Sequence, residues 1–245
     1  GNMANNPLVG AWERVSDSRV GVSIYTGSHY AAVMAPKDRQ RSSGERATPD
    51  EALEAIRSCQ ALAGTYTVSG SRITHVRIAN THPASSNLPV VADYTIDGDT
   101  LTHTAVRGTA GGRRDGSSTM YRRVPSGGTE TPLIGAWELV DETRQGILIF
   151  TGTHYSIVQR QKERNLPKGD QYTPEEALEA LYTCGALAGT YTVSGGTLTM
   201  ERTANTRPES IGVTAVMEFT VEGDVMKARG VRGGVADEGT WRRVS

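Results

Sequence analysis

The chain repeats itself, and that repeat limits the fold more than any other feature. The segment NPLVGAWERV at Asn6 returns as TPLIGAWELV at Thr131. TPDEALEAI at Thr48 returns as TPEEALEAL at Thr173, and CQALAGTYTVSG at Cys59 as CGALAGTYTVSG at Cys184. The offset is 125 positions each time and holds without a gap over about 7–107. Only the loop before the last strand is shorter in the second copy. Two copies cannot make a solenoid, which needs three or more stacked units. Each copy is therefore expected to close its own core: a first unit over 7–124, a linker over 125–131 and a second unit over 132–245. The linker, PSGGTET, is flexible in composition but short, so the units must sit close together and pack on each other.

Within one copy, short runs rich in β-branched and aromatic residues alternate with Gly and Asp turns. Trp12 lies on a first strand, followed by strands at 21–26 and 29–34. Hairpins at Gly70 and at Asp97-Gly98 join 65–69 to 72–79 and 90–96 to 100–107. Asp-Gly suits the left-handed positions of a tight hairpin turn. A last strand covers 118–124. Eight antiparallel strands in meander order are the arithmetic of a small closed barrel, which leaves no edge exposed; a sandwich is the alternative. One helix interrupts the strands. Thr48 is placed as its N-cap, Pro49 at the first helical position and Glu51 as the other half of a capping box. Leu53 and Ile56 then give an apolar face. Thr173, Pro174, Glu176, Leu178 and Leu181 repeat the pattern. These faces are expected to lie against the barrels or to join the two copies.

Both copies open with Gly-Ala-Trp, at Gly10 to Trp12 and Gly135 to Trp137, and both end in an arginine-bearing strand, MYRRV and TWRRV. In this the chain resembles a tandem of bacterial lipocalin-like domains of the calycin group. The resemblance covers nearly the whole length. It implies an all-β fold of two tandem eight-stranded antiparallel lipocalin-like barrels; the one short inserted helix in each, between strands three and four, departs from the family's pattern. It also implies that a late arginine, Arg122 or Arg123 and Arg242 or Arg243, packs across the first-strand tryptophan and closes the barrel floor. Arg122 and Arg242 are taken for that role, with Trp12 and Trp137. Each copy is shorter than a secreted lipocalin. The family's Thr-Asp-Tyr signature is only hinted at by Ala92-Asp93-Tyr94, with Met217-Glu218-Phe219 in the second copy.

Several function classes are disfavoured. There are 26 Lys and Arg against 27 Asp and Glu, so no basic footprint for nucleic acid exists. No apolar run is long enough to span a membrane. Two cysteines make no disulfide framework, which leans toward the cytoplasm, although a removed signal peptide would leave no trace. No ligand spacing for a metal appears, and no cofactor motif: the glycine-rich GTAGGRRDGS at Gly108 lacks the strand–loop–helix setting of a phosphate cradle.

The candidate ligand-binding residues are therefore barrel residues. His29-Tyr30 and His154-Tyr155 alternate on a strand, so one of each pair faces inward. The His face, with Ala31 and Val33 or Ser156 and Val158, has the smaller neighbours and is expected to face the cup, with Tyr66 and Tyr191 lining the same space. Arg77, Arg107, Arg202 and Arg232 could orient an anionic group, or be solvated outward arginines. His75, His82 and His103 occur only in the first copy, opposite Met200, Arg207 and Ala228. The leading reading is a binding module for a small hydrophobic or amphipathic molecule. Two alternatives stand beside it: a cofactor-free isomerase, dehydratase or cyclase using a barrel His or Tyr, and a structural protein with filled barrels. A wide cup without converging polar groups would favour binding, and a packed interior the structural reading.

Overall fold

The computed structural model describes residues 6–85, 88–106, 117–233 and 238–245. The first repeat forms β1 (Gly10–Arg14), β2 (Arg19–Tyr25), β3 (His29–Pro36), β4 (Gln60–Ser69), β5 (Arg72–Asn80), β6 (Val90–Asp97), β7 (Thr100–Ala105) and β8 (Ser118–Arg123). Each strand pairs antiparallel with the next, and β8 pairs back on β1 through Trp12 and Arg123, closing the barrel. The second repeat forms β9 (Gly135–Leu139), β10 (Arg144–Phe150), β11 (His154–Gln161), β12 (Cys184–Ser194), β13 (Thr197–Met200), β14 (Ala204–Asn205), β15 (Ala215–Glu222), β16 (Val225–Arg232) and β17 (Gly239–Arg243). It closes in the same way, with β17 on β9 and β11 on β12. The short β14 pairs with β12 as a detached continuation of β13. The protein is thus all-β, two closed eight-stranded antiparallel barrels with one short helix each. A sandwich is excluded.

The helices α1 (Pro49–Ser58) and α2 (Pro174–Tyr182) begin where the sequence says they should. Thr48 Oγ1 accepts from Glu51 N (3.2 Å) while Glu51 Oε1 accepts from Thr48 N (2.8 Å), and Thr173 and Glu176 repeat the box. Their apolar faces do not rest on the barrel walls. They pack on each other, Ala52, Ala55 and Ile56 against Ala177, Ala180 and Leu181, while Leu53 and Leu178 stay only partly buried. Of the two roles open to the helices, joining the copies is the one observed.

The barrels meet face to face over a cluster of small side chains. Ala31, Val33, Ala61, Ala63 and Ala79 of the first pack with Ala136, Ile147, Val158, Ala186 and Ala188 of the second. Cys59 and Cys184 belong to the same cluster as free, buried thiols, and burial pushes both pKa values up. Small residues allow two curved sheets to approach closely, and close approach keeps water out of the joint. No described helix is long and apolar enough to cross a membrane.

Candidate functional site

Each barrel floor is built around its tryptophan. Trp12 and Trp137 are fully buried, and each indole Nε1 donates to the carbonyl four residues back, Leu8 and Leu133, at 2.8 Å. Gly10 and Gly135 take positive φ values (130° and 127°), a conformation that L side chains rarely adopt, so the Gly of Gly-Ala-Trp is required. The stacking arginines are Arg123 and Arg243, each with its guanidinium carbon 4.2 Å from the indole centroid. The expectation of Arg122 and Arg242 is corrected here. Tyr121 and Trp241 are buried, so by strand alternation the residue two positions on shares their side, while Arg122 and Arg242 are exposed. Arg123 also donates to the carbonyl of Pro7 (2.8 Å), and Arg243 to those of Pro132 (2.6 Å) and Ile134 (2.7 Å). The arginine therefore ties down the chain leading into the first strand as well as covering the indole.

The expectation that the His face of β3 and β11 looks into the cup is overturned. Tyr30 and Tyr155 belong to the interior clusters, while Ala31, Val33 and Val158 face the other barrel. His29 and His154 lie in that joint. His154 Nε2 is 2.9 Å from Glu13 Oε1 of the first barrel, and Glu138 acts on His29 from the second. Burial lowers the His29 pKa, and Glu138 opposes the shift. Neighbouring hydroxyls, Ser28 and Thr153, hold the Nδ1 atoms at 2.7 Å. Neither imidazole can act as a base inside a cup.

Aromatic rings crowd the described interior of the first barrel. Tyr25, Tyr30, Tyr66, His75, His103 and Tyr121 pack ring against ring, with centroid distances from 4.6 Å (Tyr30–His75) to 6.4 Å (Tyr25–His103). Tyr25 Oη lies 2.8 Å from His75 Nε2, and His75 Nδ1 lies 2.9 Å from the Val90 carbonyl. A carbonyl only accepts, so Nδ1 carries a proton. Tyr66 donates to the Thr26 carbonyl and accepts from Asn6. Arg77 is half-buried beside Tyr30 and donates to Ser85 O, with Nε and Nη2 lacking acceptors; it is not a solvated arginine. Arg107 lies outside the described residues, as does nearly all of the glycine-rich loop after it.

The second barrel is hollow. A cavity of about 370 Å³ is lined on its apolar side by Ile157, Leu187, Met200, Met217, Ala228 and Trp241. Its polar lining includes Arg144, Arg160, Arg202 and Arg207. Ala228, on the lining, stands where the first copy has the larger His103, while Met200 stands where it has His75, a side chain of similar size. Among the expected site residues only Arg202 reaches this cavity. It sits in the break between β13 and β14, not on a strand as expected, and donates to Val213 O (2.6 Å) and Gly233 O (2.5 Å). Tyr155 donates to Glu201 O (2.6 Å), and Tyr191 to Thr151 O (2.5 Å); neither lines the cavity. Arg232 is exposed at the end of β16. Sequence reasoning passed over Arg160 and gave Arg207 only as the counterpart of His82; the first-copy residue at position 160 is Ala35, so that divergence was a usable signal.

Burial lowers the pKa values of Arg160 and Arg202, and for Arg202 the neighbouring Tyr155 works the other way. Burial raises that of the Tyr155 phenol. Among the described lining residues there is no histidine or cysteine, and Glu238 is the one carboxylate. Besides the arginines, Tyr182 and Glu238 are the titratable side chains among the described lining residues. What the site offers is an apolar wall and guanidinium donors, which suits holding a molecule. No cluster of described residues could hold a metal ion.

No family model matches the chain, and no curated protein does. Among solved structures it is similar to a protein of unknown function from the DUF3598 family of Nostoc punctiforme, at 10% identity and a TM-score of 0.21, covering 96% of both chains. It is also similar to the DNA polymerase sliding clamp of Pseudomonas aeruginosa, at 9% identity and a TM-score of 0.15, covering 98% of this chain and 58% of that one. The DNA polymerase III β subunit of Thermotoga maritima matches at 10% identity and 0.14, again over 58% of its own length. Likenesses of this size say nothing about function.

Proposed function

We propose that the protein is a lipocalin-like binding protein whose second barrel holds a small amphipathic molecule, with the ring-packed first barrel as its scaffold. In this reading residues 7–124 and 132–245 are the two units and 125–131 joins them. The observation that carries it is the cavity of about 370 Å³ inside the second barrel, a volume in the range of small-molecule sites. The tryptophan–arginine floor, present twice, supports the lipocalin-like character. The enzyme alternative, which called on a barrel His or Tyr, loses its histidines, because His29 and His154 face the joint between barrels; Tyr30 and Tyr155 face inward but neither lines the cavity. The structural reading fits the first barrel alone.

Native mass spectrometry of freshly purified protein tests the proposal. A co-purified small molecule should be carried by the wild type and lost from Ala228→Phe, which fills the cavity. An equal load in both proteins would place any guest elsewhere and overturn it.

A further inference from the structure

The second barrel differs from the first in two ways at once. Where the first copy has His103, the second has the much smaller Ala228, which lines the cavity. Where the first has Ala35 and His82, the second has Arg160 and Arg207, and both arginines line the same cavity. Room and positive charge therefore arrive together in the same copy. We propose that the guest of this cup is an organic anion with an apolar body, its acidic group paired with Arg207; this rests on the cup being the binding site.

Arg207 is the donor with most left to give. Its recorded hydrogen bond is a long one, 3.4 Å from Nη2 to the Cys184 carbonyl, and its Nε has no acceptor. The Tyr182 ring lies 5.1 Å from its guanidinium carbon and limits where the group can sit. A guanidinium with spare donors in a fixed fork matches a carboxylate, sulfonate or phosphate. The other arginines add charge. Arg160 donates to the carbonyls of Ile78 (2.9 Å) and Gln161 (3.0 Å), and Arg202 also donates to carbonyls, so neither has a carboxylate in contact among the described residues. Arg144 is the exception, held by Asp141 at 3.2 Å. Glu209 acts on Arg202 as a counter-charge; its Oε2 accepts from Tyr182 Oη (2.6 Å), which leaves that charge in place, so Arg207 and not Arg202 is the arginine assigned to the guest. In the same cavity, Ile157, Met217 and Trp241 supply apolar lining for an apolar body. An anion buried beside that lining without a cation would be strongly disfavoured, so the arginines set the sign of the guest's charge.

Two related dyes separate the outcomes: anilinonaphthalene sulfonate, an amphipathic anion, and phenyl-naphthylamine, its uncharged relative. Both are titrated by fluorescence against the full chain and its variants. The sulfonate should bind wild type roughly tenfold more tightly than the neutral dye, the scale of one charge-assisted hydrogen bond. Arg207→Gln should remove about that factor for the sulfonate alone, Arg207→Lys should restore part of it, and Ala228→Phe should weaken both dyes. Suppose the two dyes bind wild type equally and Arg207→Gln changes neither, while Ala228→Phe still expels both. The cup then stands and the anion assignment falls. If Ala228→Phe and the milder Ala228→Leu both fold and leave both dyes bound, the cup reading falls and takes the anion with it.

Discussion

Arg164, from the second repeat, donates through Nη1 to the backbone carbonyl of Asn80 in the first (2.6 Å), and through Nη2 to that of Thr81 (2.6 Å). Arg39 makes the mirror contact with Asn205 (2.5 Å) and Thr206 (2.9 Å). The loops that carry Arg39 and Arg164, both rich in charged residues, are the clasps of the joint. Arg164→Ala removes charge-assisted bonds to carbonyls that are shielded from water, so it should cost about 2 kcal/mol. Urea unfolding of the full chain measures this. The double variant with Arg39→Ala should lose more and broaden the transition, as the barrels begin to unfold separately. A double variant as stable as wild type would show that the alanine cluster suffices.

The floor arginines give a paired comparison. Trp12→Ala should cost about 3–5 kcal/mol, as for other large buried aromatics. Arg123→Ala should cost about 1–2 kcal/mol through the lost stacking and carbonyl contacts. Arg122→Ala, at an exposed position, should stay within about 0.5 kcal/mol of wild type. Equal losses at 122 and 123 would contradict the observed stacking.

Much of the architecture is legible in the residues, and the reasons differ by element. The capping boxes at Thr48 and Thr173 are local chemistry, and both helices start there. The Asp97-Gly98 turn is local too, and Gly98 takes the positive φ it implies (59°). The facing of β3 is not local. Alternation marks the inner face only when the other side meets water, and β3 is buried on both sides, by its own barrel and by its neighbour. Ala31 and Val33 looked like room for a guest; they are room for another sheet. At the cavity the sequence signal is a difference between copies: the lining residue Ala228 stands where the first copy has His103.

That difference can be exchanged. Ala228→His should shrink the second cavity and weaken dye binding there. His103→Ala should do the reverse in the first barrel, gaining binding while losing about 2–4 kcal/mol of stability by leaving a void. Crystal structures of the two variants would check the volumes directly. An unchanged second cavity in Ala228→His would mean that other residues hold it open.

Alkaline pH should weaken the fold. Burial raises the pKa values of Tyr30 and Tyr155, and takes that of Tyr191 to about 12. In the unfolded chain these phenols ionise near pH 10. Above that value the folded state holds more protons than the unfolded one, so stability falls as pH rises; below it the contribution is fully present. The urea midpoint should be steady up to about pH 9 and drop between about pH 10 and 12. A flat midpoint across that window would show the phenols to be accessible.

The covalent link between the repeats has a genetic consequence. In a homodimer of single barrels, one codon would write the same residue into both halves, so any change that hollowed one would hollow its twin. Here positions 103 and 228 are spelled separately. One half can keep a dense interior and bear the burden of folding, while the other is free to drift in volume and charge toward whatever it holds.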